Sequence, residues 1–149
     1  MKKIKCGTWF LIPINDNKFA LGIVARRSSR GVLFGYFFQT DIHYPSEVDA
    51  LRFPQNHDHV LCGKFSGVGI QKGEWPVVKQ EQSFDSTAWP MPAFVRKDES
   101  SGIVYVSEFD PVTFECLRET KGDESILESL PYDRMMGHVA VEKRLKGLL

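Results

Sequence analysis

The sequence predicts a mostly β, α+β domain built on a curled or barrel-like antiparallel sheet, with one or two short helices. Three observations lead there. Eleven phenylalanines in 149 residues favour sheet packing, where flat rings sit well against neighbours across strands. Short apolar runs alternate with Asn, Asp, Ser and Gly connections, the punctuation of a strand meander. Gly22 and Gly35 fall inside two of those runs, as expected where a sheet bulges or where backbones approach closely. The length fits one domain spanning residues 1–149, and the 42% apolar content is enough for a core.

The elements follow in order. Trp9 to Ile14, Phe19 to Ala25 and Val32 to Phe38 read as three strands. They are joined by a turn at Asn15-Asp16-Asn17 and a polar link from Arg26 to Gly31. Their near-continuous apolar character predicts that both faces are covered. Ser46 to Asp49 looks like a helix start with Ser46 as N-cap, stopped before Pro54. Val60 to Ile70 reads as a strand carrying Gly63, Gly67 and Gly69. These glycines lack the spacing and the following Lys-Ser/Thr of a phosphate-binding loop. Ala93 to Arg96, Ile103 to Ser107 and Thr113 to Leu117 are further strands, the first two joined by a hairpin loop at residues 98–102. Asp123 to Leu130 reads as a short helix ending at Pro131. The tail from Val139 reads two ways. Val141, Leu145 and Leu148 have helical spacing, with Glu142 and Lys146 as an i,i+4 pair, whereas Val139 and Val141 alternate as a strand would. The helix is the reading taken.

Charge and cysteine content narrow the class. Nineteen basic and nineteen acidic residues cancel, which argues against a nucleic-acid binder, whose affinity rests on a basic face. Lys2, Lys3 and Lys5 read as a solvated terminus, and Arg26, Arg27 and Arg30 as a solvated hairpin tip. Cys6, Cys62 and Cys116 are odd in number and widely spaced, which points to free thiols in a reducing compartment. The basic N-terminus lacks an unbroken apolar run and a cleavage site, and no stretch is long enough to span a membrane. The expected location is the cytoplasm.

Candidate chemistry is sparse. His57, Asp58 and His59 with Cys62 make a metal candidate, but no second ligand pair accompanies them and an exposed polar turn is the plainer reading. Cys62 and Cys116 sit in apolar runs and read as core thiols. Cys116, Asp133 and His138 make a nucleophilic triad only on paper. Glu108 and Asp110 have paired-acid spacing without a sign of a shared cleft. No cofactor is expected. The densest feature is a pair of Trp-Pro steps, GEWPVV and AWPMPAFVRKD, which brings Trp75, Trp89, Phe94 and Arg96 forward as partner-binding candidates. The competing reading is that these rings seal a sheet edge.

GTWFLIPI (Gly7 to Ile14), FALGIV (Phe19 to Val24), LFGYFF (Leu33 to Phe38), GEWPVV, AWPMPAFVR and the closing GHVAVEKRL (Gly137 to Leu145) occur in that order. In this the chain resembles the immunity protein 26 family of bacterial polymorphic toxin systems, over nearly its whole length. The closing motif departs from the family's form at Lys143, where an apolar residue is expected. The resemblance implies a cytoplasmic, mostly β protein that binds and blocks a cognate toxin, a role that needs no catalytic residues of its own. The balanced charge and the lack of a long apolar run give no nucleic-acid and no membrane partner as the expectation. The alternative is an SH3-like small barrel that binds or cleaves RNA in a groove near Trp9, Arg26 and Arg30.

Overall fold

Period-two alternation in three consecutive strands generates the two cores of the molecule. In the computed structural model, which describes residues 3–15 and 17–149, β1 (Thr8–Asn15), β2 (Lys18–Arg27) and β3 (Leu33–Phe38) form an antiparallel meander. Lys2 of the N-terminal basic cluster and Asp16 of the first turn lie outside the described residues. Successive strand residues point to opposite faces. Trp9, Leu11, Leu21, Ile23, Phe34, Tyr36 and Phe38 therefore share one buried cluster. Phe10, Ile12, Ala20, Val24, Leu33 and Phe37 share the other. Both faces are covered, as the unbroken apolar runs predict.

β4 (Leu61–Phe65) and β5 (Val77–Gln80) extend the meander into a five-stranded sheet ordered β4-β3-β2-β1-β5. The sheet is open, with β4 and β5 at its edges, and does not close into a barrel. Gly22 and Gly35 mark close approach. A Cβ at Gly35 would lie 2.5 Å from the Ile23 carbonyl oxygen, and one at Gly22 would lie 2.5 Å from the Phe10 ring.

A second, three-stranded antiparallel sheet consists of β6 (Phe94–Lys97), β7 (Val104–Phe109) and β8 (Cys116–Gly122). It brings Phe94, with Phe114 from the β7–β8 turn, onto the Trp9 face of the large sheet. The Phe10 face is covered by Trp75 and by the C-terminal helix. Burial of each large side chain contributes roughly 1.5–3 kcal/mol, so the helix and the small sheet are held mainly by these apolar contacts.

Several boundaries differ from expectation for local reasons. The strand expected through Ile70 stops at Phe65, and Gly67 leads into the four-residue helix α1 (Val68–Gln71). The strand expected at Thr113 to Leu117 begins at Cys116 instead. Asp110 accepts from the Val112 and Thr113 N–H groups at 2.8 and 2.9 Å, an Asx turn that holds the chain out of the sheet. Phe114 takes a left-handed φ of 61° there. The Cys116 thiol, expected in the core, is consequently exposed.

The expected helices at Ser46 and Asp123 are short 3-10 turns, Pro45–Ala50 and Glu124–Glu128. Tyr44 rather than Ser46 precedes the first, and the Glu47 carboxylate accepts from the Tyr44 N–H at 2.8 Å. The tail is helical: α2 (His138–Leu148) buries Val141 and Leu145, while Lys143 faces solvent. Lys143 therefore leaves the packing of this element undisturbed.

One irregular segment joins the two sheets. Residues 131–136 bridge β6 through Val95 and β4 through Phe65, in parallel pairings at Tyr132 and Met136. The Asp133 N–H donates to the Val95 carbonyl and the Met136 N–H to the Lys64 carbonyl, both at 2.9 Å. The Asp133 carboxylate turns inward and pairs with Lys64. The same ammonium sits 3.8 Å from the Phe109 ring centroid.

Candidate functional site

The two Trp-Pro steps lie on opposite faces of the large sheet. Trp75 is fully buried and stacks on Phe10, with ring centroids 5.5 Å apart and planes 2° from parallel. Its indole N–H donates to the Glu142 carboxylate of α2 at 2.9 Å. One turn earlier, His138 pairs with Glu74 at 3.2 Å. Glu142 therefore ties the helix to the sheet, rather than pairing with Lys146 on the helix surface. Trp89, 8% exposed, packs edge-on to Trp9 on the other face. Phe94, fully buried, meets Phe34 and Phe109 edge-to-face.

Of the four residues singled out in the sequence, Arg96 is the one at the surface. Its guanidinium lies 4.3 Å from the Tyr105 ring centroid. It donates to both carboxylate oxygens of Glu119, at 3.1 and 2.8 Å. Glu119 also accepts from the Ser107 hydroxyl at 3.0 Å, and the Arg96 and Ser107 bonds hold its carboxyl below the usual carboxylate range. A forked arginine–carboxylate pair of this kind is geometrically fixed, so Arg96 has its Nε and one Nη2 donor committed within the chain.

Arg26 does not belong to a solvated hairpin tip. A bulge between Val24 and Arg26 places it opposite Phe34, on the inner face, where it is 5% exposed. It donates to the carbonyls of Pro111, Ala25 and Ser86 at 2.6, 2.7 and 3.2 Å. Trp9 is 2% exposed and donates to Glu81 at 3.0 Å. The groove on which an RNA-binding reading depends is therefore two-thirds filled: of Trp9, Arg26 and Arg30, only Arg30 reaches solvent.

The remaining candidates are separated. His57 pairs with Asp58 at 3.5 Å, and His59 packs against the Tyr36 ring. Among the described residues, no group of three or more His, Cys, Asp or Glu side chains is placed to hold a metal ion. Burial pushes the Cys62 thiol up to about 11. Cys116 is exposed, Asp133 is paired with Lys64 and His138 with Glu74, so the paper triad is not assembled. Glu108 is paired with Arg118 at 2.5 Å, and Asp110 caps its turn.

The surface that does gather exposed side chains was not singled out in the sequence. A groove of about 560 Å³ runs between β4, the 131–136 segment and α2, with Tyr132, Arg134, Met135, Met136 and Arg144 in its lining. Tyr132 and Met135 are 52% and 51% exposed. At Met135 it meets a second groove of about 480 Å³, whose cations are Lys3, Arg27 and Arg30. Tyrosine, methionine and arginine are the residue types enriched at protein–protein contacts. The clue was the run Pro-Tyr-Asp-Arg-Met-Met at residues 131–136, where large apolar residues stand beside charges with no helical or strand period to bury them.

A family model described as Immunity protein 26 matches residues 5–102. That span takes in β1 to β6, both Trp-Pro steps and Arg96; the closing motif GHVAVEKRL lies beyond it. No curated protein and no solved structure matches. No described helix is long and apolar enough to cross a membrane.

Proposed function

The chain belongs to the immunity protein 26 family, and from that premise we propose that it neutralises a cognate bacterial toxin by stoichiometric association in the cytoplasm. Family membership carries this reading. The trough formed by two adjoining grooves that share Met135, lined by exposed Tyr, Met and Arg side chains, supports it, because it offers a partner both apolar area and unpaired charge. Occlusion of a toxin needs a rigid surface and no catalytic group. The two aromatic cores supply the rigidity: Trp75 holds α2, one wall of the trough, and Trp89 and Phe94 fix the small sheet from below.

The test is co-expression with the protein encoded beside it. Relief of that protein's toxicity, with a complex of fixed stoichiometry on size exclusion, is the expected result. A neighbour without toxicity, and no complex, would overturn the reading.

A further inference from the structure

The chain has zero net charge, yet the trough does not share that balance. Lys3, Arg27, Arg30, Arg134 and Arg144 line it against the single carboxylate of Glu128. Elsewhere four exposed cations are neutralised in place, Lys79 by Glu81, Arg96 by Glu119, Lys97 by Glu124 and Arg118 by Glu108. Lys5, Arg52, Lys72, Lys121, Lys143 and Lys146 are exposed and, among the described residues, unpaired. What sets the trough apart is five cations lining it against one carboxylate. Among the described residues, none of the five trough cations forms an ion pair. The segment 131–136, which bends at Asp133 and Arg134, sharpens the asymmetry by withdrawing its one acid from the groove. Tyr132 and Arg134 face the groove, while Asp133 between them is turned inward to Lys64.

We infer that the trough receives an acidic segment of the toxin bearing a large apolar side chain. The segment's carboxylates meet Arg134 and Arg144 at one end and Arg27 and Arg30 at the other. Its apolar side chain enters between Tyr132, Met135 and Met136. The identity of the partner rests on the immunity reading; the chemistry of the segment rests on the trough. An unpaired guanidinium keeps its planar fork of donors free for a carboxylate. Methionine thioethers adapt their shape to an incoming apolar group. A strand of RNA fits less well. Single-stranded nucleic acid is held by several stacked aromatic rings, whereas Tyr132 is the one aromatic side chain in the lining of either groove.

A toxin-free measurement tests the segment chemistry. The full chain is titrated, at low and at physiological salt, into three fluorescein-labelled probes: a peptide of alternating glutamate and leucine, its lysine counterpart, and an oligo-uridylate. Binding of the glutamate–leucine peptide alone, weakened by salt, is expected. In R30E/R134E the affinity should fall roughly tenfold or more, because each reversal replaces an attraction by a repulsion; K121E on exposed β8 should leave it unchanged. Tighter binding of the oligo-uridylate, no binding of the acidic peptide, or equal binding by R30E/R134E would each overturn the inference. The milder R134Q/R144Q serves if the reversed pair does not fold, with a twofold to tenfold loss expected by the same argument and unchanged binding again overturning it. The immunity reading is judged separately by complex formation with the neighbouring protein. A complex that R30E/R134E forms unchanged would leave that reading standing and remove the trough.

Discussion

The indole nitrogen of Trp75 donates to the Glu142 carboxylate at 2.9 Å, which fastens the C-terminal helix to a fully buried ring beneath it. The bond is buried on the tryptophan side and reaches across 67 residues of sequence. Trp75→Ala should therefore destabilise by ~3–5 kcal/mol, the usual cost of deleting a large core ring, and lower Tm by roughly 10 °C for a chain of this size. Trp75→Phe keeps a ring on Phe10 but removes the donor and part of the buried ring volume, so an intermediate cost of ~1–3 kcal/mol is expected. Thermal melts followed by circular dichroism distinguish the two.

Arg26 makes a second long-range tie. Its three carbonyl acceptors come from β2, from the loop before β6 and from the turn after β7. Burial lowers its pKa from the usual guanidinium range, while the carbonyls surround the charged form with acceptors. Arg26→Leu removes all three bonds, although the Ser86 carbonyl keeps the Trp89 N–H at 3.1 Å, at a cost of ~2 kcal/mol or more. Arg26→Lys should recover only part of this, since an ammonium cannot reproduce the planar fork. Urea denaturation midpoints give the comparison.

Two buried acids predict alkaline instability. Burial pushes the Cys62 thiol from 9.0 up to about 11, and the Tyr36 hydroxyl from 10.0 up to about 12. The Tyr36 hydroxyl also donates to the Pro90 carbonyl. The folded chain holds both protons longer than the unfolded chain. Stability is therefore complete below about pH 9 and falls as pH rises through 11 to 12. At about 1.4 kcal/mol per unit, Cys62 alone accounts for ~3 kcal/mol across that window. Cys62→Ala should flatten the alkaline fall in Tm, whatever it costs in packing at neutral pH; a fall as steep as in the unmodified chain would show that Cys62 does not cause it.

The thiols should differ sharply in reactivity. Cys116 is exposed at the start of β8, whereas Cys62 in β4 is half-buried at the floor of the groove beside α2. At neutral pH the Cys62 thiolate fraction is on the order of 100-fold below that of an ordinary thiol. Alkylation followed by mass spectrometry should mark Cys116 first and Cys62 only when the chain unfolds.

Much of the fold was legible because alternation is a local signal. The paired faces of β1, β2 and β3, the covered sheet, the hairpin at residues 98–102 and the helical tail follow from runs read a few residues at a time. Where a single residue redirected the chain, the local pattern misled. The Asp110 turn moved the last strand, and the β2 bulge carried Arg26 from surface to core. The proposed partner surface was least legible of all. Trp75, Trp89 and Phe94 stand out in sequence because they are large, and they are buried for the same reason. Tyr132, Arg134 and Met135 stay exposed because backbone pairing to both sheets fixes that segment while the Lys64–Asp133 pair satisfies its inner side.

The most direct test of the account is hydrogen exchange on the complex with the protein encoded beside this chain, the proposed toxin. Binding in the trough predicts added protection in residues 130–137 and 27–33, with β8 unchanged. Protection confined to β8 and the Arg96 face, with residues 130–137 exchanging as in the free chain, would contradict it.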